Sequence, residues 1–528
     1  MIRALACALL VAGGAPAAIA QSADPEATRA ADPWFQAGSQ AVAAARTLSP
    51  RSGRARNVIL FVGDGMSPTT VTAARIRAGQ QAGASGEEYQ LSFEKLPYLA
   101  LAKTYNTNAQ VPDSAGTMTA LVSGLKTKAG VLGLSDLARP GDASTLTASR
   151  VPTLFEDAER RGLATGLVTT TRVTHATPGA CYAHVPDRDW ESDAELPRAA
   201  RAAGVPDIAR QLVEFGAGDG IELVLGGGRA QFLPASQPDP EEPALRGRRA
   251  DRRDLVAEWQ KRNPGGAFVW SHAQLRSLDL AKTPRLLGLF DPSHMEYEAD
   301  RAGDRGGEPS LSEMTATALR VLSRAPKGFV LMVEAGRIDH AHHANNAFRA
   351  LGETIELARA VETALRLTSR KDTLVIVTAD HGHSFTLSGY PKRGNPILGL
   401  VVPPGGNAPL RDAGGLPYTA LSYATGPGHT ARSNAQGPGP KRFPHEPAGF
   451  SRADGRPDLS AVDPTAPDYL QEALVPLSSG AHSGEDVAIY AGGPGAELFR
   501  GVREQHYVYH VIADALGWTG GPAKRWGR

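Results

Sequence analysis

The chain has 528 residues, of which 41% are hydrophobic and 21% are charged, so it can bury a large core and is not globally disordered. The formal net charge is +1 with no long run of like charge, which excludes a strongly basic nucleic-acid-binding protein. One large α/β domain with insertions and two separate domains both fit this length.

Residues 1–20 have the pattern of a signal peptide. Arg3 supplies the charged start, residues 4–11 form a short apolar stretch, and Ala18-Ile19-Ala20 is a small-x-small cleavage site. The apolar stretch is too short to span a bilayer. The sequence therefore predicts export, to the periplasm or out of the cell, and a flexible lead-in over residues 21–55.

The cysteines and the C-terminal residues also bear on where the protein is located and whether it is anchored to a membrane. Cys7 leaves with the predicted signal, so the mature chain keeps Cys181 and forms no intramolecular disulfide. Exported proteins can do without disulfides when the core is large or when bound metals brace it. The chain ends Ala-Lys-Arg-Trp-Gly-Arg, which differs from the apolar tail of a lipid-anchor signal. We therefore expect no membrane anchor.

Short apolar, β-branched runs alternate with amphipathic patterns along the chain. Runs that are apolar throughout favour buried parallel strands, and the amphipathic patterns favour helices that cover them. The predicted strands are 57–62, 166–170, 221–225, 329–333, 373–377 and 487–490, and the predicted helices are 70–78, 311–323, 348–367 and 507–516. The pattern predicts an α/β fold with a mostly parallel central sheet and helices on both faces.

Residues 391–480 differ in composition from the rest of the chain. Gly, Pro, Asn and Ser are dense there, and the periodicity fades. A disordered linker is the alternative, but it would tether His482, which follows directly, only loosely. We predict an irregular inserted subdomain over 391–480, within a catalytic domain that spans 56–390 and 481–520.

Ionisable residues follow the predicted strands at one end. Asp64 follows the first strand, Glu334 follows the fourth, and Asp380 and His381 follow the fifth. In sheets of this type, ligands bind beyond the carboxyl ends of the strands. The placement therefore indicates a metal or phosphate site at this edge of the sheet.

Asp339 and His343 lie four residues apart in Arg-Ile-Asp-His-Ala-His-His. On a helix they project from one face and can bind one metal ion, and carboxylate with imidazole suits zinc. A His-rich patch on a surface helix is the alternative. His342 would point away from that face and is not predicted to be a ligand.

Ser114 precedes an apolar helical run in Pro-Asp-Ser-Ala-Gly-Thr. Asp113 or Ser114 could simply cap the helix. The functional alternative is a serine nucleophile at a helix N-terminus, where backbone N–H groups and the helix dipole favour a phosphate. Because no Gly-x-Ser-x-Gly elbow surrounds it, an esterase-type triad is disfavoured, and the serine would need a base or a metal to activate it.

Six motifs in one order resemble those of the alkaline phosphatase family, over about residues 57–516. They are Val-Gly-Asp-Gly-Met at 62–66, Asp-Ser-Ala-Gly-Thr at 113–117, Thr-His-Ala-Thr-Pro at 174–178, Val-Glu-Ala-Gly-Arg-Ile-Asp-His-Ala-His-His at 333–343, Thr-Ala-Asp-His-Gly-His at 378–383 and Ala-His-Ser-Gly-Glu-Asp at 481–486. The resemblance implies hydrolysis of phosphate monoesters of broad range through a phosphoserine at Ser114, with two zinc ions and one magnesium ion.

The resemblance also implies a ligand set, position by position. The implied ligands are Asp339, His343 and His482 for the first zinc, Asp64, Asp380 and His381 for the second zinc, and Asp64, Thr177 and Glu334 for magnesium. Arg188 would grip the substrate phosphate, because its planar fork fits two phosphate oxygens. Around these ligands the resemblance places Asp113 and the pair His175 and His340, where some members have Asp and Lys and the animal-type enzymes have the histidine pair.

Two further expectations come from the resemblance. Glu241, Phe290, Asp291 and Glu308 fall where animal-type enzymes hold a calcium ion, Phe290 through its carbonyl, and a solvated acidic surface is the alternative. The insert at 391–480 corresponds to the family's variable crown region, which is usually at a dimer interface. A homodimer is therefore expected.

Other functions remain open at this point. A phosphodiesterase or sulfatase of the same superfamily usually presents a threonine or a modified cysteine as its nucleophile, whereas Ser114 with Arg188 favours monoesters. An inactive exported protein that binds metal or phosphate is the alternative from another class. Such a protein would be expected to have lost the nucleophile or a ligand, and every expected position is filled here.

Overall fold

All six predicted strands are present in the structure, a computed structural model that describes residues 53–452 and 455–518. The predicted signal peptide, residues 1–20, lies outside the described residues, as does most of the lead-in predicted over 21–55. The strands of the described residues are β1 Asn57–Gly63, β2 Tyr98–Lys103, β3 Ala164–Arg172, β4 Leu223–Gly227, β5 Ala267–Val269, β6 Leu286–Leu289, β7 Phe329–Ala335, β8 Thr373–Ala379, β9 Gly382–His383, β10 Phe385–Leu387, β11 Leu421–Gly426, β12 Ala473–Pro476, β13 His482–Ser483, β14 Val487–Gly492 and β15 Gly501–Glu504.

The four predicted helices are also present, with ends close to those expected. The α-helices of the described residues are α1 Pro68–Gln81, α2 Ser114–Ser123, α3 Leu146–Ser149, α4 Leu154–Arg160, α5 Ala176–Gly179, α6 Arg198–Ala202, α7 Ile208–Val213, α8 Leu255–Arg262, α9 His272–Ser277, α10 Leu311–Leu322, α11 Arg337–His343, α12 Ala347–Leu367 and α13 Tyr507–Ala515.

The start of α10 illustrates how the sequence sets a helix boundary. The Ser310 hydroxyl accepts a hydrogen bond from the Glu313 N–H at 3.2 Å, and the Glu313 carboxylate accepts one from the Ser310 N–H at 2.8 Å. This capping box satisfies two donors that the first helical turn would otherwise leave unpaired. Behind it, Met314 and Ala318 lie on the buried face at helical spacing.

Ten strands form the central sheet, in the order β15-β2-β14-β8-β1-β7-β3-β4-β6-β5. The central strand β1 pairs in parallel with both β7 and β8, whereas β14 is antiparallel to β8 and β2. Every residue of β7 and β8 is buried, as expected for strands covered on both faces. The predicted mostly parallel sheet is confirmed.

Four strands of this sheet were not predicted, namely β2, β5, β6 and β15. β2 alternates between exposed and buried residues near one edge of the sheet, and β5 has three residues at the other edge. Such short or half-exposed segments carry little apolar signal, because their stability comes from pairing with a neighbouring strand rather than from their own burial.

Helices cover the sheet in two groups. The helices α1 and α10 each pack on α12, and α10 and α12 contact strands among β1, β3 and β7. A second group is formed by α2, α4, α5 and α13, of which α4 and α5 contact β3 and β7. The predicted helical layers on both faces are therefore present.

The segment 391–480 contains little regular structure. Within its described residues the strands are β11 and β12, which form a three-stranded sheet with β10. The described residues all fall within one compact unit, Pro50–Arg528, so the boundaries of a separate subdomain stay a prediction. In the described part of the chain, no helix has both the length and the apolar character needed to cross a bilayer.

Leu331 tests the position of the core. It is fully buried on β7, where it pairs with residues of β1 and β3. We expect Leu331→Ala to lower the free energy of unfolding by about 2–5 kcal/mol, because it removes buried methyl groups and leaves a cavity. The control is Leu137, which is 73% exposed. In chemical denaturation Leu137→Ala should cost less than about 0.5 kcal/mol, and equal losses would contradict the assignment of β7 to the core.

Candidate metal centre and nucleophile

The strand register brings three of the predicted carboxylates to one edge of the sheet. Val62 on β1 lies beside Glu334 on β7, and Gly63 lies beside Ala379 on β8. Asp64 and Asp380 are the next residues after these partners, so they emerge side by side. Glu334 lies within β7 rather than after it, which is a small correction to its predicted position.

One predicted ligand group is the set implied for the second zinc, Asp64, Asp380 and His381, which we call the Asp64 group. All three are fully buried, and one ligand atom of each lies within 4.8 Å of the others. The His381 Nε2 atom is 3.3 Å from a carboxylate oxygen of Asp64 and 3.4 Å from one of Asp380. Burial, and then the charges of neighbouring carboxylates, raise the pKa of Asp64 well above its usual range. A bound cation would offset the repulsion among these buried carboxylates and so favour the ionised form of Asp64.

The other group is the set implied for the first zinc, Asp339, His343 and His482, which we call the Asp339 group. Asp339 and His343 lie one turn apart on α11, as the spacing predicts, with the His343 Nε2 3.2 Å from Asp339. The His482 Nε2 is 3.4 Å from Asp339 and 3.2 Å from the His343 Nε2. Two segments that are distant in the sequence, α11 and the strand that begins at His482, therefore converge at this edge of the sheet.

The hydrogen bonds of the two imidazoles fix which nitrogen faces the group. The Nδ1–H of His343 donates to the Gly480 carbonyl, and the Nδ1–H of His482 donates to the Pro112 carbonyl at 2.8 Å. Because a carbonyl can only accept, the proton of each neutral ring lies on Nδ1, and Nε2 presents its lone pair. This is the arrangement that metal-binding histidines require.

His383 belongs to the same cluster and was not predicted. It is buried, its Nε2 lies 2.5 Å from Asp339, and one of its ligand atoms groups with those of Asp339, His381 and His482. Gly65 makes room for the ring, since a Cβ at Gly65 would lie 2.6 Å from it. The available signal was the alternation in Asp-His-Gly-His, which places His381 and His383 on one side of an extended segment.

His342 lies away from these groups, as its position on α11 predicts. Its ring is fully buried between the hydroxyl groups of Thr70, at 2.9 Å, and Tyr423, at 2.7 Å. Both ring nitrogens are therefore engaged in hydrogen bonds, and the residue stabilises the packing of α11.

The residues predicted for magnesium lie on the other side of Asp64. The Thr177 hydroxyl is 3.4 Å from Asp64, and one ligand atom of Glu334 groups with those of Asp64 and His175. One oxygen of Glu334 accepts from Thr169 and Thr171, while its buried Oε1 has no hydrogen-bond partner among the described residues. Burial raises the pKa of Glu334 to about 7. An unpaired buried carboxylate oxygen fits a cation ligand.

Ser114 is the first residue of α2, and Asp113 caps that helix. The Asp113 carboxylate accepts from the Gly116 N–H at 3.1 Å, which leaves the serine hydroxyl free of the capping role. The Ser114 hydroxyl lies 3.0 Å from the His381 Nε2 and 3.4 Å from Asp64. The structure thus places the predicted nucleophile against the Asp64 group, at a helix N-terminus.

Arg188 lies beside the nucleophile. Its guanidinium is 3.4 Å from the carboxylate of Asp113 and 3.1 Å from the His175 Nε2. The side chain is 23% exposed, so it can meet a ligand at the surface of the site. A held but accessible guanidinium suits bidentate recognition of a phosphate.

The predicted pair His175 and His340 is part of a larger group with His294. The His294 and His340 ring centroids are 4.3 Å apart, and all three rings contact one another edge to face. Burial lowers the pKa of each ring well below its usual range. His294 was not predicted, because no motif in the sequence connects it with the other two.

Three of the four residues predicted for calcium are buried and Asp291 is partly buried, which argues against a solvated acidic surface. Glu241 and Glu308 are 6% and 2% exposed, and burial raises the pKa of Glu308 to about 9 and that of Asp291 to about 7. Glu241 is already paired with Arg229 at 2.7 Å, and Phe290 is fully buried. Among the described residues, these side chains do not form a group of three ligand atoms within 4.8 Å.

Comparison with known proteins identifies relatives of the whole chain. The family model described as alkaline phosphatase matches residues 55–518. The chain is 45% identical to the tissue-nonspecific isozyme of alkaline phosphatase from Gallus gallus, over 93% of this chain and 90% of that protein. It is 44% identical to an alkaline phosphatase from Gadus morhua, over 91% and 95%. The solved structure of Thermus thermophilus alkaline phosphatase matches with a TM-score of 0.61 at 27% identity, over 90% of this chain and 94% of that one.

His383 provides a test of the convergent cluster. We expect His383→Asn to weaken metal binding at the Asp339 group by about 10–100-fold, because the variant loses the contact that orients Asp339. The measurement is competition for zinc with a chelator of known affinity. The control is His510→Asn on the exposed surface of α13, which should leave zinc affinity unchanged. Equal zinc affinity in wild type and His383→Asn would contradict the orienting role.

Proposed function

Because the chain belongs to the alkaline phosphatase family, it hydrolyses phosphate monoesters with divalent metal cofactors, and we propose that it does so through a phosphoserine at Ser114. The single observation that carries this proposal is the position of the Ser114 hydroxyl, 3.0 Å from the His381 Nε2 and 3.4 Å from Asp64. A hydroxyl at a helix N-terminus and against a buried group of metal-ligand type is placed for attack on a phosphate.

The donor sets favour two zinc ions and one magnesium ion. Imidazole with carboxylate suits zinc, and this combination occurs where His343 and His482 contact Asp339 and where His381 groups with Asp64 and Asp380. Hydroxyl and carboxylate oxygens suit magnesium, and Asp64, Thr177 and Glu334 supply these. When bound, such ions lower the pKa of hydroxyl groups and neutralise charge that develops on phosphate oxygens.

The protein residues account for positioning of the substrate. The Ser114 oxygen forms a bond to phosphorus while the bond from phosphorus to the alcohol oxygen breaks, so the alcohol leaves and the phosphoryl group stays on the serine. Water then releases inorganic phosphate and regenerates Ser114. Arg188 binds two oxygens of the phosphoryl group, and the N-terminus of α2 adds a favourable dipole. Asp113 holds both elements, because it caps α2 and contacts Arg188.

The related diesterase and sulfatase activities are tested with three substrates. We expect nitrophenyl phosphate to be hydrolysed much faster than bis-nitrophenyl phosphate or nitrophenyl sulfate, because the monoester offers Arg188 and the bound cations two negative charges, whereas the diester and the sulfate ester each offer one. Preference for the diester or the sulfate would overturn the assignment to monoesters. Recovery of phosphoserine at residue 114 by mass spectrometry, after acid quenching, tests the covalent step separately.

We extend the proposal to a calcium ion near Glu308, to export and to a homodimer. Burial of Glu241 and Glu308 supports the first of these, since buried carboxylates favour a nearby cation. Export rests on the sequence of residues 1–20, which lie outside the described residues. The homodimer rests on the correspondence of 391–480 with the family's crown region.

Ser114→Ala removes the proposed nucleophile. We expect kcat for nitrophenyl phosphate to fall by about three orders of magnitude or more, because attack by the serine oxygen becomes impossible. The matched control is Ser123→Ala at the other end of the same helix, whose hydroxyl donates to the Thr119 carbonyl. Near-normal turnover in Ser114→Ala would refute the covalent scheme.

Arg188→Lys keeps the charge and removes the planar fork. We expect kcat/KM for phosphate monoesters to fall by about 10–100-fold, because a lysine cannot donate to two phosphate oxygens in the same geometry. The control is Arg500→Lys on the exposed surface, which should behave as wild type. Unchanged kcat/KM in Arg188→Lys would show that the guanidinium does not bind the substrate phosphate.

A further inference from the structure

Three carboxylates meet at the end of the sheet opposite the active site. Glu159 lies near the end of α4, and Asp219 and Glu222 lie just before β4. One ligand atom of each lies within 4.8 Å of the others. Thr165, near the start of β3, forms hydrogen bonds with two of them: its N–H donates to Glu222 at 2.7 Å and its hydroxyl donates to Glu159 at 2.6 Å.

Glu159 supplies an observation that is independent of the clustering. The residue is 2% exposed, one oxygen accepts the Thr165 hydroxyl, and the buried Oε2 has no hydrogen-bond partner in the described part of the chain. A Cβ at Gly218 would lie 2.6 Å from this Oε2, and Gly218 has a φ of +56°. The unpaired oxygen therefore lies under the turn that presents Asp219. Leaving such an oxygen unpaired is costly, and a cation would satisfy it.

The local charge balance is negative. Among the described residues, Arg285 contacts the cluster, at 3.1 Å from Asp219 and 3.8 Å from Glu222. Burial, and then the charge of Glu222, raise the pKa of Glu159 to about 8, and burial raises that of Glu222 to about 7. The single guanidinium at the outer side of the cluster thus does not offset the repulsion between the buried carboxylates.

An ion can reach these oxygens from solvent. Asp219 and Glu222 line a cavity of about 600 Å³ that also contacts Gly162 and Lys282. The Asp219 side chain is 81% exposed, so it forms the outer side of the cluster, while Glu159 forms its inner side. The arrangement has a buried ligand, a half-buried ligand and an exposed ligand at the mouth of a cavity.

We propose that Glu159, Asp219 and Glu222 bind a calcium ion that ties α4 and the start of β3 to the turn before β4. All the donors are oxygens, which favours a hard cation. Magnesium usually keeps several waters and is held by only one or two carboxylates, whereas calcium accepts more oxygen ligands, so a cluster of three carboxylates favours calcium. The site stabilises the fold and takes no part in hydrolysis.

Counting bound calcium tests the proposal directly. The enzyme saturated with zinc and magnesium is dialysed into calcium buffer, and calcium per chain is measured by inductively coupled plasma mass spectrometry. We expect the double variant Glu159→Gln with Glu222→Gln to bind one calcium ion fewer than wild type. The same difference is expected in a Glu308→Gln background, which separates this site from the candidate near Glu308. An unchanged count in either background would overturn the proposal.

Thermal unfolding gives a second test, because the difference in unfolding temperature between wild type and the double variant should change sign when calcium is added. Without calcium, the double variant should unfold at the same or a higher temperature than wild type, because neutral amides remove the repulsion. With saturating calcium, and with Glu308→Gln in both proteins to remove the candidate site near Glu308, the protein with the intact cluster should gain roughly 4 °C or more and the double variant should not. A double variant that is more stable than wild type at every calcium concentration would show instead that the carboxyl groups only share protons. An equal gain with magnesium would overturn the choice of calcium.

Two further measurements keep the test interpretable. Asp219→Asn changes an exposed side chain, so it should fold even if the double variant does not, and it should need about tenfold more calcium for the same thermal shift. An unchanged calcium requirement in Asp219→Asn would overturn the role of Asp219. The kcat for nitrophenyl phosphate should be equal in wild type and both variants, because β3 separates the cluster from Ser114, and a calcium-dependent loss of kcat would contradict a purely stabilising site.

Discussion

The burial of four carboxylates at one edge of the sheet is the constraint on which the rest of the site depends. Asp64, Glu334, Asp339 and Asp380 lie at or beyond the ends of β1, β7 and β8, and each is almost completely buried. Ionised carboxylates in such surroundings are unstable unless cations neutralise them. Parallel pairing of the three strands creates the cluster, so the fold itself brings together buried acids that a bound cation would stabilise.

Capping by Asp113 explains why the proposed nucleophile, Ser114, can face the buried carboxylates. A serine hydroxyl at the start of α2 would commonly be used to cap the helix, but Asp113 performs that role. Ser114 is consequently free to face Asp64 and His381. Asp113 also contacts Arg188, so one carboxylate holds the helix start and the Arg188 guanidinium relative to each other.

The sequence predicted those parts of the structure whose signal is local. The strands β1, β7 and β8 are apolar throughout because both of their faces are buried, and Asp339 and His343 share a face because a helix sets their spacing. His383 and His294 escaped prediction because their roles arise from contacts between distant segments, which a single sequence does not display. The weakly patterned strands β2 and β15 escaped it for the related reason that their stability depends on pairing.

The two ends of β3 show that burial of acids does not by itself define a catalytic site. At the carboxyl end, Thr169 donates to Glu334, and at the amino end Thr165 donates to Glu159, and each acid keeps one oxygen without a partner in the described residues. The two acids thus share the same local arrangement, a threonine donor to one oxygen and no partner for the other. Reactivity differs because Ser114 and an accessible Arg188 lie beside the first cluster, whereas the guanidinium at the second is engaged by its carboxylates. An adjacent serine hydroxyl and an accessible guanidinium therefore distinguish the proposed active site from a second cluster of acids that has neither.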